Sequence, residues 1–359
     1  MVGNNRNNPN NGNQEKGILF LDGGLGTSLE DKYGVKFSES TPLWSSHLVL
    51  TDPETLLSCQ RDFAQVPVDI LQTATYQISV KALASTITQY PDGEVDVYSF
   101  LRKAVDIAKT AALPSTKIAL SLGPYGASMI PSTEYTGRYD PEHGSVDALE
   151  QWHLDRLGLF RFAGVFDRPG VSYIAFETIP RLDEISAVRK AHSQIGLPAA
   201  EVPFWISCVY PGDGDTLPDG ADVKDVVRAM LQTQPGQTTR PWGIGINCTK
   251  IWKLPALVQK YEDAIKTMMG TGELKEEDWP ALVLYPDGTN GEVYNPTSKT
   301  WERPAGVSGP EIPWETQLSE IVLRAKARRV WRQIVVGGCC KASHEDIRRL
   351  REAVESQLG

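Results

Sequence analysis

The sequence predicts a single (β/α)8 barrel, and three observations lead to this prediction. The chain has 359 residues, of which 41% are hydrophobic, so it can bury a large core. From residue 17 onward, short apolar runs alternate eight times with amphipathic helical runs, as in repeated βα units around a parallel sheet. Polar and thiol residues follow several of these apolar runs, at the strand ends where such barrels carry their active sites.

The predicted strands are short, rich in β-branched residues and bounded by glycine, proline or polar residues. Continuous apolar runs of this kind are typical of parallel strands that are buried on both faces. The eight strands are predicted at residues 18–21, 68–76, 118–122, 173–178, 204–209, 243–248, 281–285 and 334–336. The last of these runs through two glycines into adjacent cysteines.

Apolar residues at helical spacing place a helix between successive strands and after the last one. Asp52 is the predicted N-cap of the first helix, and Pro53 stands at the first helical position. Ser343 and Asp346 form a predicted capping box at the start of the last helix. Further helices are predicted over about 97–108, 146–165, 185–191, from 221, 257–268 and 314–325. The loop over 286–313 is too long for a plain connector, which favours a lid or binding loop.

A doubly wound, dinucleotide-binding sheet is the alternative architecture. It is disfavoured because residues 23–27 lack a G-x-G-x-x-G spacing followed directly by a helix. Residues 1–16 are rich in Asn and have no apolar period, so they are predicted to form a disordered tail that precedes a barrel over 17–359.

Charge and cysteine content narrow the class of partner. A net charge of −9 gives no basic surface for nucleic acid or an anionic membrane, so we expect small-molecule substrates. The chain shows no long apolar run and no secretory leader, and its five cysteines are an odd number. These features predict a cytoplasmic protein without disulfides. They do not decide its oligomeric state.

Cys248, Cys339 and Cys340 stand at the ends of two predicted strands. Three soft thiolates suit Zn²⁺, and a catalytic zinc ion keeps three protein ligands and one open position. The alternative is that these cysteines pack as small hydrophobic residues, since their spacing matches no zinc-finger pattern. Cys59 and Cys208 lie inside predicted elements and are expected to pack in the core.

Six short motifs at the strand ends resemble those of a known family. They are DGG at 22–24, TATYQIS at 73–79, SLGPY at 121–125, FETIP at 176–180, GINC at 245–248 and GGCC at 337–340. In their order they resemble the homocysteine S-methyltransferases over nearly the whole chain. The resemblance implies a barrel enzyme in which the three motif cysteines bind zinc and the homocysteine sulfur takes the open position. It is closer to enzymes that use S-methylmethionine or S-adenosylmethionine than to those that use betaine.

The strand ends also supply candidate substrate-binding residues. Glu177 follows three apolar residues and is the candidate partner of the substrate ammonium group, the alternative being a structural salt bridge. Asp22, with the amides of Gly23 and Gly24, is a candidate for the amino-acid head group, and a tight βα turn is the alternative. Thr73 is a further substrate-binding candidate that could instead form a hydrogen bond inside the barrel mouth.

Aromatic rings attract methylated cations, and core packing is the alternative role for these side chains. The candidates for receiving a sulfonium group are Trp44, Tyr76 and Tyr125. The predicted function is zinc-dependent methyl transfer from a sulfonium donor to the thiol of L-homocysteine, which forms methionine. A barrel that keeps zinc as a structural or binding element, without catalysis, is the alternative.

Overall fold

A computed structural model gives the fold of the chain. The structure describes residues 17–38, 41, 43–89, 96–167, 170–197, 202–233, 239–289, 291–295, 300–302 and 312–358. The predicted tail over 1–16 lies outside these ranges, as do parts of the loop over 286–313. The described part of that loop contains a two-stranded antiparallel hairpin.

Eight parallel strands form one sheet, which confirms the predicted barrel. They are β1 (Ile18–Phe20), β2 (Ile70–Gln72), β3 (Lys117–Leu122), β4 (Tyr173–Ile179), β5 (Phe204–Cys208), β6 (Gly243–Asn247), β7 (Ala281–Tyr285) and β10 (Ile334–Val336), with the hairpin strands β8 (Val293–Asn295) and β9 (Thr300–Glu302) apart from them. The spatial order is β1, β10, β7, β6, β5, β4, β3, β2. A parallel bridge between Leu21 and Ile70 joins the two ends of the sheet and closes the ring.

Eleven α-helices lie within the described ranges. They are α1 (Leu25–Tyr33), α2 (Leu48–Thr51), α3 (Pro53–Ala64), α4 (Val80–Ile87), α5 (Val97–Ala111), α6 (Val146–Phe162), α7 (Leu182–Ile195), α8 (Val223–Leu231), α9 (Leu254–Gly270), α10 (Trp314–Arg328) and α11 (His344–Ser356). Asp52 caps α3 by accepting from the Thr55 amide, and Ser343 and Asp346 form the predicted capping box. No helix of this set is long and apolar enough to cross a bilayer.

Two predictions about the first βα units are wrong. The first helix is α1, which begins at Leu25, and not the helix predicted from Asp52; the G-x-G-x-x-G spacing is absent as stated. The second strand ends at Gln72 and not at residue 76. The Thr75 amide donates to the Thr73 carbonyl, so the backbone turns out of the sheet there and leads into α4.

Side chains fill the interior of the barrel, and a second, larger core lies between the sheet and the helices. The interior cluster contains Leu21, Ile70, Ala119, Ala175, Trp205, Val283, Tyr285 and Val335. Because side chains alternate along each strand, the residues two positions further on also face inward, near the carboxyl ends of the strands. They include Gln72, Ser121 and Glu177, so a polar layer covers the apolar interior at the mouth of the barrel.

Candidate active site and metal centre

One pocket at the carboxyl ends of the strands contains every predicted metal-binding residue and every predicted residue for the amino-acid head group. It is lined by Asp22, Gly23, Gly24, Thr73, Glu177, Cys248, Cys339 and Cys340, together with other residues described below. They lie in or directly after five strands of the barrel, β1, β2, β4, β6 and β10. The barrel therefore brings together in space what the sequence separates by up to about 300 positions.

The sulfur atoms of Cys248, Cys339 and Cys340 all lie within 4.8 Å of one another. In this structure the Cys248 and Cys339 sulfurs are joined as a disulfide, and Cys340 is free. The prediction that the chain has no disulfide is wrong in this respect. The cause is the fold itself: β6 and β10 both flank β7, and their carboxyl ends place the Cα atoms of Cys248 and Cys339 5.5 Å apart, within bridging range.

Cys248 is oriented by its neighbours on β6 and β4. The side-chain nitrogen of Asn247 (Nδ2) donates to the Cys248 sulfur at 3.3 Å and to the Thr178 hydroxyl at 2.8 Å. The Asn247 oxygen accepts from the Thr178 amide at 2.8 Å. Cys248 and Thr178 have backbone φ angles of 47° and 61°, in the left-handed region that residues other than glycine rarely adopt. The hydrogen bonds of Asn247 hold the backbone in this conformation.

Cys340 lies in the loop after β10. Its carbonyl accepts from the Gly288 amide, and the Cys339 amide donates to the Pro286 carbonyl, so the start of the 286–313 loop supports the cysteine pair. The Tyr135 side chain lies close enough to the Cys340 thiol to lower its pKa in part. Burial raises the pKa of the Cys340 thiol to about 12, so this group needs a cation beside it to ionise at neutral pH.

Glu177 is buried and already accepts hydrogen bonds from neutral donors. The Ser121 hydroxyl donates to one carboxylate oxygen and the Gln72 side chain to the other, at 3.0 Å. Tyr285 lowers the pKa of this carboxyl in part. Burial raises the pKa of Glu177. No salt bridge of Glu177 is found among the described residues, so the structural ion pair that was the alternative has no support there.

Asp22 is linked to Glu177 through Gln72. The Gln72 amide donates to Asp22 Oδ2 at 2.8 Å, while its side chain contacts Glu177. Asp22 Oδ1 is buried and has no hydrogen-bond partner in the described part of the chain. Burial is the main cause that raises the pKa of Asp22 to about 8. The site thus presents one open acceptor next to a second carboxylate.

The two glycines after Asp22 provide close packing. The Gly24 amide donates to the Ala342 carbonyl at 2.9 Å. A Cβ atom at Gly23 would collide with the Ala342 carbonyl oxygen, and one at Gly24 would collide with that of Cys339.

The Thr73 hydroxyl contacts the Thr75 hydroxyl at 2.6 Å and accepts from the Ser121 amide at 3.1 Å. Its contacts therefore lie inside the barrel mouth.

The aromatic candidates separate into two groups. Trp44 and Tyr76 line the pocket, whereas Tyr125 is not among its lining residues. The Tyr125 hydroxyl donates to Asp140 and its ring stacks on His143, with ring centroids 4.0 Å apart. Tyr135, which the sequence analysis did not single out, takes part in the lining instead.

Several other pocket residues were missed. Gln72, Ser121 and Thr178 lie within or next to the quoted motifs, so their positions at strand ends were available as a signal. Glu134 and Tyr135 come from the irregular loop between β3 and α6, where neither periodicity nor a strand end marks them. Cys59 and Cys208 pack in the core as predicted, although Cys208 is the last residue of β5.

Comparison with known proteins agrees with this geometry. The family model described as homocysteine S-methyltransferase matches residues 19–354. Homocysteine S-methyltransferase YbgG of Bacillus subtilis is 27% identical over 345 residues, which cover 93% of each protein. Homocysteine S-methyltransferase of Escherichia coli is 28% identical over 347 residues, covering 93% of this chain and 94% of that protein.

A solved structure shows the same fold. The metallated form of the homocysteine methyltransferase MmuM from Escherichia coli superposes with a TM-score of 0.66 at 24% identity. The match covers 94% of this chain and 96% of that chain.

Proposed function

The chain belongs to the homocysteine S-methyltransferase family, and on that basis we propose that it transfers a methyl group from a sulfonium donor to the thiol of L-homocysteine, forming methionine. S-methylmethionine and S-adenosylmethionine are the proposed donors. The observation that carries the proposal is the convergence of three cysteine sulfurs and two linked carboxylates in a single pocket. A nucleophilic sulfur and an amino-acid head group are the two parts of homocysteine that such a pocket would bind.

Zinc fits the donor set of this pocket. Three thiolates bound to one tetrahedral Zn²⁺ at about 2.3 Å lie about 3.8 Å from one another, and the three sulfurs here lie within 4.8 Å. We propose that Cys248, Cys339 and Cys340 hold the ion once the Cys248–Cys339 bridge is reduced. When bound, zinc lowers the pKa of the homocysteine thiol, so that its sulfur is anionic at neutral pH.

Asp22 and Glu177 would bind the ammonium group of homocysteine. Asp22 Oδ1 is an open, buried acceptor, and Gln72 holds both carboxylates in place through two hydrogen bonds. An ammonium group there would supply the missing hydrogen bond and offset the burial of negative charge. Fixing the head group in this way also fixes the position of the sulfur, which is the main contribution that an enzyme makes to a direct displacement.

The charge of the pocket favours a cationic donor. Asp22, Glu134 and Glu177 line it, and its described lining contains no lysine or arginine. Three thiolates add further negative charge, of which a divalent cation compensates only part. Trp44 and Tyr76 line the pocket, and aromatic rings attract methylated cations such as a sulfonium group. A sulfonium already makes its methyl group electrophilic, so the transfer itself requires no general acid or base.

A donor panel tests the proposal. The protein is reduced, loaded with zinc and assayed for methionine formation from L-homocysteine with S-methylmethionine, S-adenosylmethionine or betaine, while zinc content is measured on the same sample. We expect about one zinc ion per chain and turnover with a sulfonium donor. Cys339→Ser should lose both, whereas the core variant Cys59→Ser, outside the pocket, should keep both.

A zinc-loaded protein that is inactive with every donor would contradict the proposal. That result would favour the alternative of a barrel that keeps zinc as a structural or binding element.

A further inference from the structure

Glu134 is a buried carboxylate that takes no part in the proposed binding site for homocysteine. It lies in the loop between β3 and α6 and lines the same pocket as the three cysteines. Its side chain is 8% exposed. Its Oε2 atom is buried and has no hydrogen-bond partner in the ranges that the structure describes. An open buried acceptor is costly, so such an atom indicates a missing donor.

The surroundings of Glu134 do not neutralise its charge. Its charge raises the pKa values of the Tyr76 and Tyr135 phenols and of the Cys340 thiol, none of which is a cation. Burial raises the pKa of the carboxyl, and Ser132 and the Glu134 backbone amide lower it only in part. The described lining contains no lysine or arginine that could pair with this carboxylate. A cationic ligand that enters the pocket would therefore supply the counter-charge.

The loop that carries Glu134 is held firmly. The Tyr125 amide donates to Glu184 Oε1 at 2.7 Å, and the Tyr139 hydroxyl donates to the same carboxylate. Arg181 donates to the Gly137 carbonyl at 3.1 Å and lies 4.8 Å from the centre of the Tyr139 ring. Glu134 lies between these anchored points, so its side chain is presented to the pocket by a fixed backbone.

Glu134 is separate from the pair that would bind homocysteine. Gln72 joins Asp22 to Glu177 by hydrogen bonds, and no described hydrogen bond joins Glu134 to either of them. The pocket therefore has two open carboxylate oxygens in two places, Asp22 Oδ1 and Glu134 Oε2. Homocysteine and an amino-acid sulfonium donor each carry one α-ammonium group.

We propose that Glu134 binds the α-ammonium group of the methyl donor, an inference that rests on the proposed function. An ammonium group fits better than the sulfonium itself, because only the ammonium has N–H groups to donate to the open oxygen. In this arrangement the sulfonium group contacts the aromatic rings of Trp44 and Tyr76 and not Glu134. Glu134 thereby selects amino-acid donors over betaine, whose quaternary nitrogen has no N–H group.

The test compares Glu134→Gln with the wild-type enzyme. Both are reduced, loaded with zinc and assayed with S-methylmethionine and L-homocysteine varied separately. We expect the KM for S-methylmethionine to rise at least ~10-fold, because a hydrogen bond between two charged groups is lost. The KM for homocysteine should change less than about twofold, and zinc content and melting temperature should stay unchanged.

Two further variants complete the design. Glu142→Gln removes an exposed carboxylate from the same loop and should leave both KM values unchanged. Glu134→Asp keeps the charge on a shorter side chain and should raise the donor KM less than Glu134→Gln does. The inference is overturned if the donor KM of Glu134→Gln is unchanged, if both KM values rise equally, or if Asp and Gln have the same effect. A wild-type enzyme without any methyl transfer would instead overturn the proposed function.

Discussion

At the scale of single residues, the candidate active site contains acidic side chains that the fold buries away from solvent. The pKa values of Asp22, Glu134 and Glu177 are all raised, and burial is the largest cause in each case. Such carboxylates weaken the folded protein when no cation is bound. Their presence together in one pocket is explained if the ligands bring the positive charge.

Glu177→Gln tests this explanation. The amide keeps the shape of the side chain and removes the charge, so the KM for homocysteine should rise at least ~10-fold. The free energy of unfolding of the ligand-free protein should stay equal or increase, because a buried carboxylate is replaced by a neutral group. Steady-state kinetics and urea unfolding measure the two quantities. A large loss of stability with an unchanged KM would indicate a structural role.

The individual residues could be predicted only in part. The cysteines and Glu177 stand directly at strand ends inside recognisable motifs, and the pocket contains them all. Which carboxylate oxygen stays open could not be predicted, because the donors to Asp22 and Glu177 come from Gln72 and Ser121 on other strands. Tyr125 turns away from the pocket because Asp140 and His143 hold its side chain.

At the scale of elements, a buried polar network fixes the loop between β3 and α6. His153 on α6 contacts Glu184 on α7 at 3.0 Å, and Arg156 contacts the other ring nitrogen of His153 at 3.1 Å. Burial lowers the pKa of His153 and lowers that of Arg156 to about 9. A neutral histidine therefore links one buried cation to the carboxylate that also anchors the loop.

Glu184→Gln should uncouple this network. Removing the negative charge leaves Arg156 buried without its counter-ion, which we expect to cost about 3–5 kcal/mol in the free energy of unfolding. Urea unfolding of the purified variant measures this loss. Asp147→Asn on α6 is the control, since its side chain is 92% exposed and its contact with Lys190 is a surface ion pair worth less than about 1 kcal/mol. Equal stability of the two variants would contradict the role given to the network.

Elements with a local signal were predictable and those without one were not. The caps at Asp52 and Ser343 mark α3 and α11 correctly, because a capping side chain acts within three residues. The start of α1 follows Gly24, which has no side chain to cap with, so nothing in the sequence marks it. The start of α4 did carry a signal, since Ser79 caps it through the Ala82 amide.

At the scale of the whole molecule, the alternation of strands and helices was enough to predict the closed barrel. Closure then determines the site, because it brings the ends of β4, β6 and β10 around one point. The distance between Cys248 and Cys339 depends on the strand order, in which β6 and β10 both flank β7, and on their positions beyond the strand ends, so the disulfide between them could not be predicted from their spacing. The contribution of Glu134 and Tyr135 depends likewise on where an irregular loop folds over the mouth.

The proposed function depends most on the three cysteine sulfurs holding one metal ion that has room for a fourth sulfur ligand. X-ray absorption at the zinc edge, on reduced and zinc-loaded protein before and after addition of L-homocysteine, measures this directly. We predict three sulfur neighbours at about 2.3 Å from zinc, and four after homocysteine is added. A protein that binds no zinc, or a zinc ion whose sulfur neighbours do not increase with homocysteine, would contradict the account.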